Sequence, residues 1–161
     1  LAGLTAAQSV AYCRTAAIGQ EVLFPESVTD TFACLMRRKG LQPILQSRGR
    51  LLGWYGEDAG ACAVLSLPGI DMLLTHKRCA VISSATIESA GLVFADYRII
   101  VVKLGYLYRD LAAVAKKAYM AMTPGASCKQ IESIPYRVVS RPVYPIDRDF
   151  DWIPANSNPA G

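Results

Sequence analysis

Two apolar runs, ACAVLSL at 61–67 and IDMLLT at 70–75, are separated by Pro68 and Gly69 alone. Proline presets the first turn dihedral and glycine accepts the positive φ that other residues avoid, so the chain reverses within two residues. Runs joined in this way predict antiparallel strands, and a sheet must be completed around them. Immediately upstream, ILQSRGRLLGW at 44–54 reads as a further β run. Gly53, Gly56 and Gly60 lie between it and the next run. Their spacing does not match a dinucleotide-binding fingerprint, and they precede a β run instead of a helix, so they read as shaping a hairpin loop.

Around this β region the pattern is mixed. Residues 4 to 17 carry apolar positions at roughly helical spacing with Gly19 as the stop, EVLF at 21–24 reads as a short strand ending at Pro25, and PESVTDTF supplies turn chemistry. The segment MRRKG closes at Gly40, with Arg37, Arg38 and Lys39 expected as a solvated loop face. Ser84 to Gly91 reads as a short helix capped by serine. RIIVVKLG at 98–105 is apolar without alternation, which predicts a strand buried on both faces. YRDLAAVAKKA then reads as a helix and AYMAM at 118–122 as a second strand, making a compact βαβ unit, with one longer helix reaching Met122 as the open alternative. In PYRVVSRPVYPID, Pro135, Pro142 and Pro145 forbid central strand pairing and predict an extended strap over Pro135 to Asp147. The expected fold is therefore α+β: a single domain over residues 1–147 with a mixed sheet, antiparallel hairpins and one βαβ unit, followed by a polar tail at 148–161.

Composition narrows the class. With 52% apolar and 19% charged residues in 161, the chain can bury a core without disulfides, and no apolar run approaches the length of a spanning helix. A net charge of +4 is scattered along the sequence, so neither a nucleic-acid backbone nor a membrane is an expected partner. Five cysteines with no C-x-x-C pair read as reduced, buried thiols, which implies a cytoplasmic protein. The first residues have neither a basic n-region nor a methionine, and they read as a chain that begins in the middle of something.

Absences dominate the search for chemistry. A single histidine, His76, cannot build a multi-histidine metal centre, and its place at a strand end reads as a surface histidine. No H-E-x-x-H, nucleophile elbow or P-loop exists, and Glu57 and Asp58 in a Gly-rich turn read as solvated carboxylates. What is left is the cluster after the RIIVVK run: Lys103, Gly105, Tyr106 and Tyr108. At the carboxyl end of a parallel strand, Gly105 would let a ligand approach the backbone while Lys103 and Tyr106 offer donors to a carbonyl or anionic oxygen. The reading that residue physics alone favours is that Lys103 snorkels from the strand end and the tyrosines pack.

Taken together, DYRIIVVKLGYL (96–107), MTPGA (122–126) and IPYRVVSRPVYPID (134–147) resemble the C-terminal domain of the microcystinase C-like (MlrC-type) zinc metallopeptidase family. The closing motif is carried by Pro135, Tyr136, Arg137, Arg141, Pro142, Tyr144, Pro145 and Asp147, and weaker similarity through AVLSLPGIDMLLTHKR extends the resemblance to about residues 15–147. It implies a domain or small subunit that completes the substrate cleft of a zinc-dependent hydrolase of peptide or related amide bonds. The zinc would be held by an N-terminal catalytic domain or a separate large subunit, so this chain alone would not catalyse. Lys103, Gly105, Tyr106 and Arg109 would face substrate, with a bridge to the missing domain as the alternative role of Arg109. Two departures stand out: the family's Ser-Ser-x-His-Phe-Arg pattern is Leu104, Gly105, Tyr106, Leu107, Tyr108 and Arg109 here, so its histidine is a leucine, and Pro25 and Glu26 interrupt a segment that is glycine-rich in the family. A non-catalytic assembly subunit and an independent small-molecule binding module remain as alternatives.

Overall fold

The turn at Pro68-Gly69 joins β3 (Asp58–Leu67) to β4 (Ile70–Thr75) in the computed structural model, which describes residues 3–122 and 129–151. Gly69 takes φ +79°, the left-handed value that the turn requires. On the far side of β3 lies β2 (Ile44–Leu52), antiparallel, and on the far side of β4 lies β1 (Gly3–Thr5), parallel, so the sheet order is β1-β4-β3-β2. The fold is α+β with a mixed sheet, as the sequence implies.

Helices cover both faces. On one side α1 (Ala7–Cys13) and α2 (Thr31–Lys39) pack with the 22–28 loop against Leu45, Ala63, Leu65 and Leu74. On the other, α3 (Ser84–Ser89) and the segment that follows it cover Leu51, Cys62, Val64 and Leu73. Consecutive β3 residues therefore bury to opposite faces, and ACAVLSL, not RIIVVK, is the run enclosed on both sides. In β2 the register slips between Leu45 and Ser47. The extra residue reverses the parity of everything after it, so Leu45 faces the first core while Leu51 faces the second.

Helix ends explain much of the connectivity. Asp30 caps α2, its carboxylate accepting from the Ala33 N–H at 3.0 Å, and the same carboxylate accepts from the Ser9 N–H at 2.7 Å and the Ser9 hydroxyl at 2.6 Å in the first turn of α1. Burial by itself would raise the Asp30 pKa, yet the bonds from Ser9 and the backbone N–H groups hold it below the usual carboxylate range. Two orphan-donor sets are thus satisfied by one side chain. At the other end of α2, Gly40 is left-handed, and Arg37 is no solvated residue: its guanidinium donates to the carbonyls of Pro25 (2.8 Å) and Val28 (2.6 Å), clamping the loop onto the helix.

Several expectations are corrected. The first helix runs only from Ala7 to Cys13, because its last carbonyls turn to Arg48, which donates to Cys13 and Arg14 at 3.2 and 2.9 Å. EVLF forms no strand beyond a bridge between Glu21 and Ile44. Cys13 and Cys62 are buried, burial followed by the Asp30 charge pushing the Cys13 thiol up to about 11, but Cys34 is exposed. His76 is half-buried, with Nδ1 3.2 Å from the Ala7 carbonyl oxygen. The expected βαβ unit at 98–122 contains α4 (Arg109–Val114), shorter than expected, but no described strand on either side of it; the sheet's parallel pair is β1 with β4. β-propensity states only that a segment suits a pleated surface, and a ladder also needs a partner edge. Residues 97–104 instead rest on the second core through Tyr97, Ile100 and Val102, and the Tyr97 hydroxyl donates to Asp71 at 2.7 Å.

The chain divides into two units, Leu1–Ala118 and Tyr119–Gly161. Within the second, Asp147 organises the segment expected as a strap: its carboxylate pairs with Arg141 and accepts from the Val143 N–H at 2.8 Å, while its own N–H donates to the Val143 carbonyl at 2.9 Å. The Arg141 bond, followed by that from Val143, draws the Asp147 pKa down to about 2. The Thr123-Pro124-Gly125 turn, Cys128 and the expected tail from residue 152 onward lie outside the described residues.

Candidate functional site

Three chain segments of the first unit converge on a cleft of about 370 Å³: the loop after β2 (Leu52, Gly53, Tyr55, Gly56), the start of α3 (Ile82, Ser83, Ala85, Thr86) and the start of α4 (Tyr108, Arg109, Asp110). The loop is held by local bonds. Gly53 N–H donates to the Glu57 carbonyl at 2.7 Å, and Leu52 N–H donates to Ser89 Oγ at 3.0 Å, which ties the loop to α3. At its tip, Tyr55 adopts φ +54°, a left-handed conformation that bulky residues seldom take, and its side chain is 96% exposed. At Gly53 a side chain would be tight, since a Cβ would lie 3.0 Å from that of Ala59.

The opposite wall rests on α3. Ser83 caps that helix by accepting from the Thr86 N–H at 3.2 Å, and the two hydroxyls lie 3.1 Å apart, so both oxygens are engaged. The third wall comes from the cluster singled out in the sequence. Tyr106 and Tyr108 stack at 4.8 Å between ring centres, and their hydroxyls share a hydrogen bond of 2.8 Å. That bond, ahead of slight desolvation, raises the pKa of the Tyr108 phenol.

Of the four residues assigned to substrate from sequence, Arg109 lines the cleft, and Tyr106 reaches it only through Tyr108. Lys103 and Gly105 do not line it. Both are exposed, and among the described residues no parallel strand places them at a carboxyl-end crevice. Tyr55, Ser83, Thr86 and Asp110 join the site without a sequence signal that joined them, because they become neighbours only when α3 and α4 meet the loop. The acidic pair of the loop is divided. Asp58 is structural, pairing with Arg50 across the β2–β3 ladder and accepting from Gly60 N–H at 2.9 Å, and its pKa is lowered first by the Arg50 bond.

The cleft offers a guanidinium, a phenol and a carboxylate, which can orient and hydrogen-bond a polar ligand. Zinc, implied by the family resemblance, does not fit: among the described residues no three His, Cys, Asp or Glu side chains gather to hold a metal. Nor, among them, is any helix long and apolar enough to cross a membrane.

Fold and site together define an α+β domain with an open cleft lined by apolar and polar groups and, among the described residues, no ligand set of its own. The chain belongs to the MlrC C-terminus family, whose model matches residues 46–138, a range that includes every residue lining the cleft. A crystal structure of a protein from Mesorhizobium sp. BNC1, provisionally described as a metallopeptidase, has the same fold over 94% of this chain, with a TM-score of 0.62 and 21% identity. The match spans 32% of that protein's length. A search of curated proteins finds no match.

Proposed function

We propose that this domain, residues 1–147, completes the substrate cleft of a metal-dependent hydrolase acting on peptide or related amide bonds. Zinc and the reacting water are supplied by an N-terminal catalytic domain or a separate large subunit. The observation that carries this reading is the cleft itself, which lies wholly inside the family match and presents the Arg109 side chain beside the Tyr108 phenol. Arg109 is exposed and makes no hydrogen bond or ion pair with a described residue, so its donors are available to a carbonyl or carboxylate oxygen of the substrate. Tyr106 positions Tyr108, and Lys103 and Gly105 stand further out, where the rest of the assembled protein would bring them to substrate. Every role assigned to the domain is binding and orientation, which contributes to rate by holding the scissile bond in place for a metal centre elsewhere.

In the assembled hydrolase, Arg109→Ala is expected to raise KM for a peptide or amide substrate by about tenfold, the equivalent of one lost charged hydrogen bond. Lys103→Met and Tyr106→Phe should give smaller losses, and all three variants of the isolated chain should melt within a few degrees of the wild type, as exposed positions do. Unchanged kinetics in all three would leave the cleft without a substrate role and favour a non-catalytic assembly subunit.

A further inference from the structure

The segment Ile99 to Lys103 is a strand in sequence that has no ladder. Its exposure alternates with the period of a strand: Ile100 and Val102 pack on the second core, whereas Ile99 and Val101 are 77% and 57% exposed. The N–H groups of Ile99, Ile100, Val101, Val102 and Lys103 donate no hydrogen bond to any described residue. Leaving a β-branched run with its backbone donors open is unusual, because such an edge is a template for another strand, and folded proteins normally cover or charge it. Charge here is confined to the ends, at Arg98 and Lys103.

We infer that residues 99–103 form an edge that pairs with a β-strand of the larger N-terminal portion of the assembled protein by main-chain hydrogen bonds, with Ile99 and Val101 on the sheet face that this portion would also cover. This rests on the reading of the domain as one part of a hydrolase. The choice of occupant comes from length: a protein of this fold is about three times as long as this chain, and the segment lies inside the family match, five residues before the cleft wall at Tyr108. A strand added here would anchor the catalytic portion beside the cleft it must serve. A second copy of this chain could also supply an edge, but length provides no reason for one.

Hydrogen–deuterium exchange tests the inference. In the isolated chain the amides of 99–103 should exchange nearly as fast as unstructured ones, and protection of these amides there would overturn it. When the N-terminal portion from the same source is added as a separate chain, alternate amides of the segment should slow by about a hundredfold or more, since only every second N–H of an edge strand points to its partner. Val101→Pro or Val102→Pro, whichever falls on a protected amide, deletes one backbone N–H and should weaken the complex at least about tenfold while Arg109→Ala does not. A stable wild-type complex with no protection at 99–103, or with the proline variant at a protected amide binding as well as wild type, overturns the edge and leaves the hydrolase reading standing. Failure of the wild-type chain to bind the N-terminal portion at all overturns both. Protection that rises with the concentration of this chain alone, together with a dimer mass, would assign the edge to a second copy instead and overturn the choice of partner.

Discussion

Replacing Asp30 by alanine should cost the fold about 3 kcal/mol. Removing an N-cap carboxylate typically costs about 1 kcal/mol, and here α2 loses its bond from Ala33 N–H. The larger part arises in α1. Ser9 is fully buried, and both its N–H and its hydroxyl donate to Asp30, so the substitution leaves two buried donors without an acceptor, at roughly 1–3 kcal/mol in total after local relaxation. For a domain of ordinary stability this is a large fraction of the whole. The assay is urea denaturation at pH 7, in which the midpoint should fall with the slope unchanged. A double-mutant cycle with Ser9→Ala should show coupling of at least about 0.5 kcal/mol, because Ser9→Ala already removes one of the orphaned donors. The pH dependence has a fixed sign. The folded Asp30 pKa lies below its ordinary value, so its stabilisation is present above the unfolded pKa and is lost as pH falls through the folded one. The gap between wild type and Asp30→Ala should therefore narrow on acidification below about pH 4. A loss under 1 kcal/mol at pH 7, or a gap that widens in acid, would refute the shared-cap account.

Gly40→Ala should destabilise by about 1 kcal/mol in the same assay: a Cβ there meets no atom within 4 Å, so the whole effect is the left-handed φ of +60° at the helix C-cap, and a neutral result would mean that the helix ends differently. Tyr97→Phe should remove from a spectrophotometric phenol titration the component that ionises near 12, the value to which burial and the Asp71 carboxylate push Tyr97; because this folded pKa is raised, its contribution to stability is full below the unfolded pKa near 10 and is lost as pH rises toward 12. Retention of that component in Tyr97→Phe would assign it to another tyrosine.

Local signals were legible wherever the chemistry is local. The Pro68-Gly69 turn, the serine-capped short helix after residue 83 and the β runs at 44–52 and 61–75 each follow from dihedral preference or capping within a few residues, and each is present, whereas α2 forms where the sequence reads as turn and loop. The motif series identified the family for a similar reason, since order along the chain is itself sequence information. Tertiary structure decided what depends on distant partners. Whether RIIVVK pairs is set by the availability of a sheet edge, not by its own propensity, and among the described residues no edge reaches it. Arg37 passed for a solvated residue because the carbonyls that hold it belong to another turn of chain. The β2 bulge, which sends Leu45 and Leu51 to opposite cores, leaves no mark in a period-2 pattern read on one strand. The cleft shows the same division. Of its polar groups only Tyr108 and Arg109 stood out in the sequence, and only the meeting of the 52–56 loop with α3 and α4 brings Arg109 into it and leaves Lys103 outside, because proximity across 50 residues is a property of packing and not of spacing.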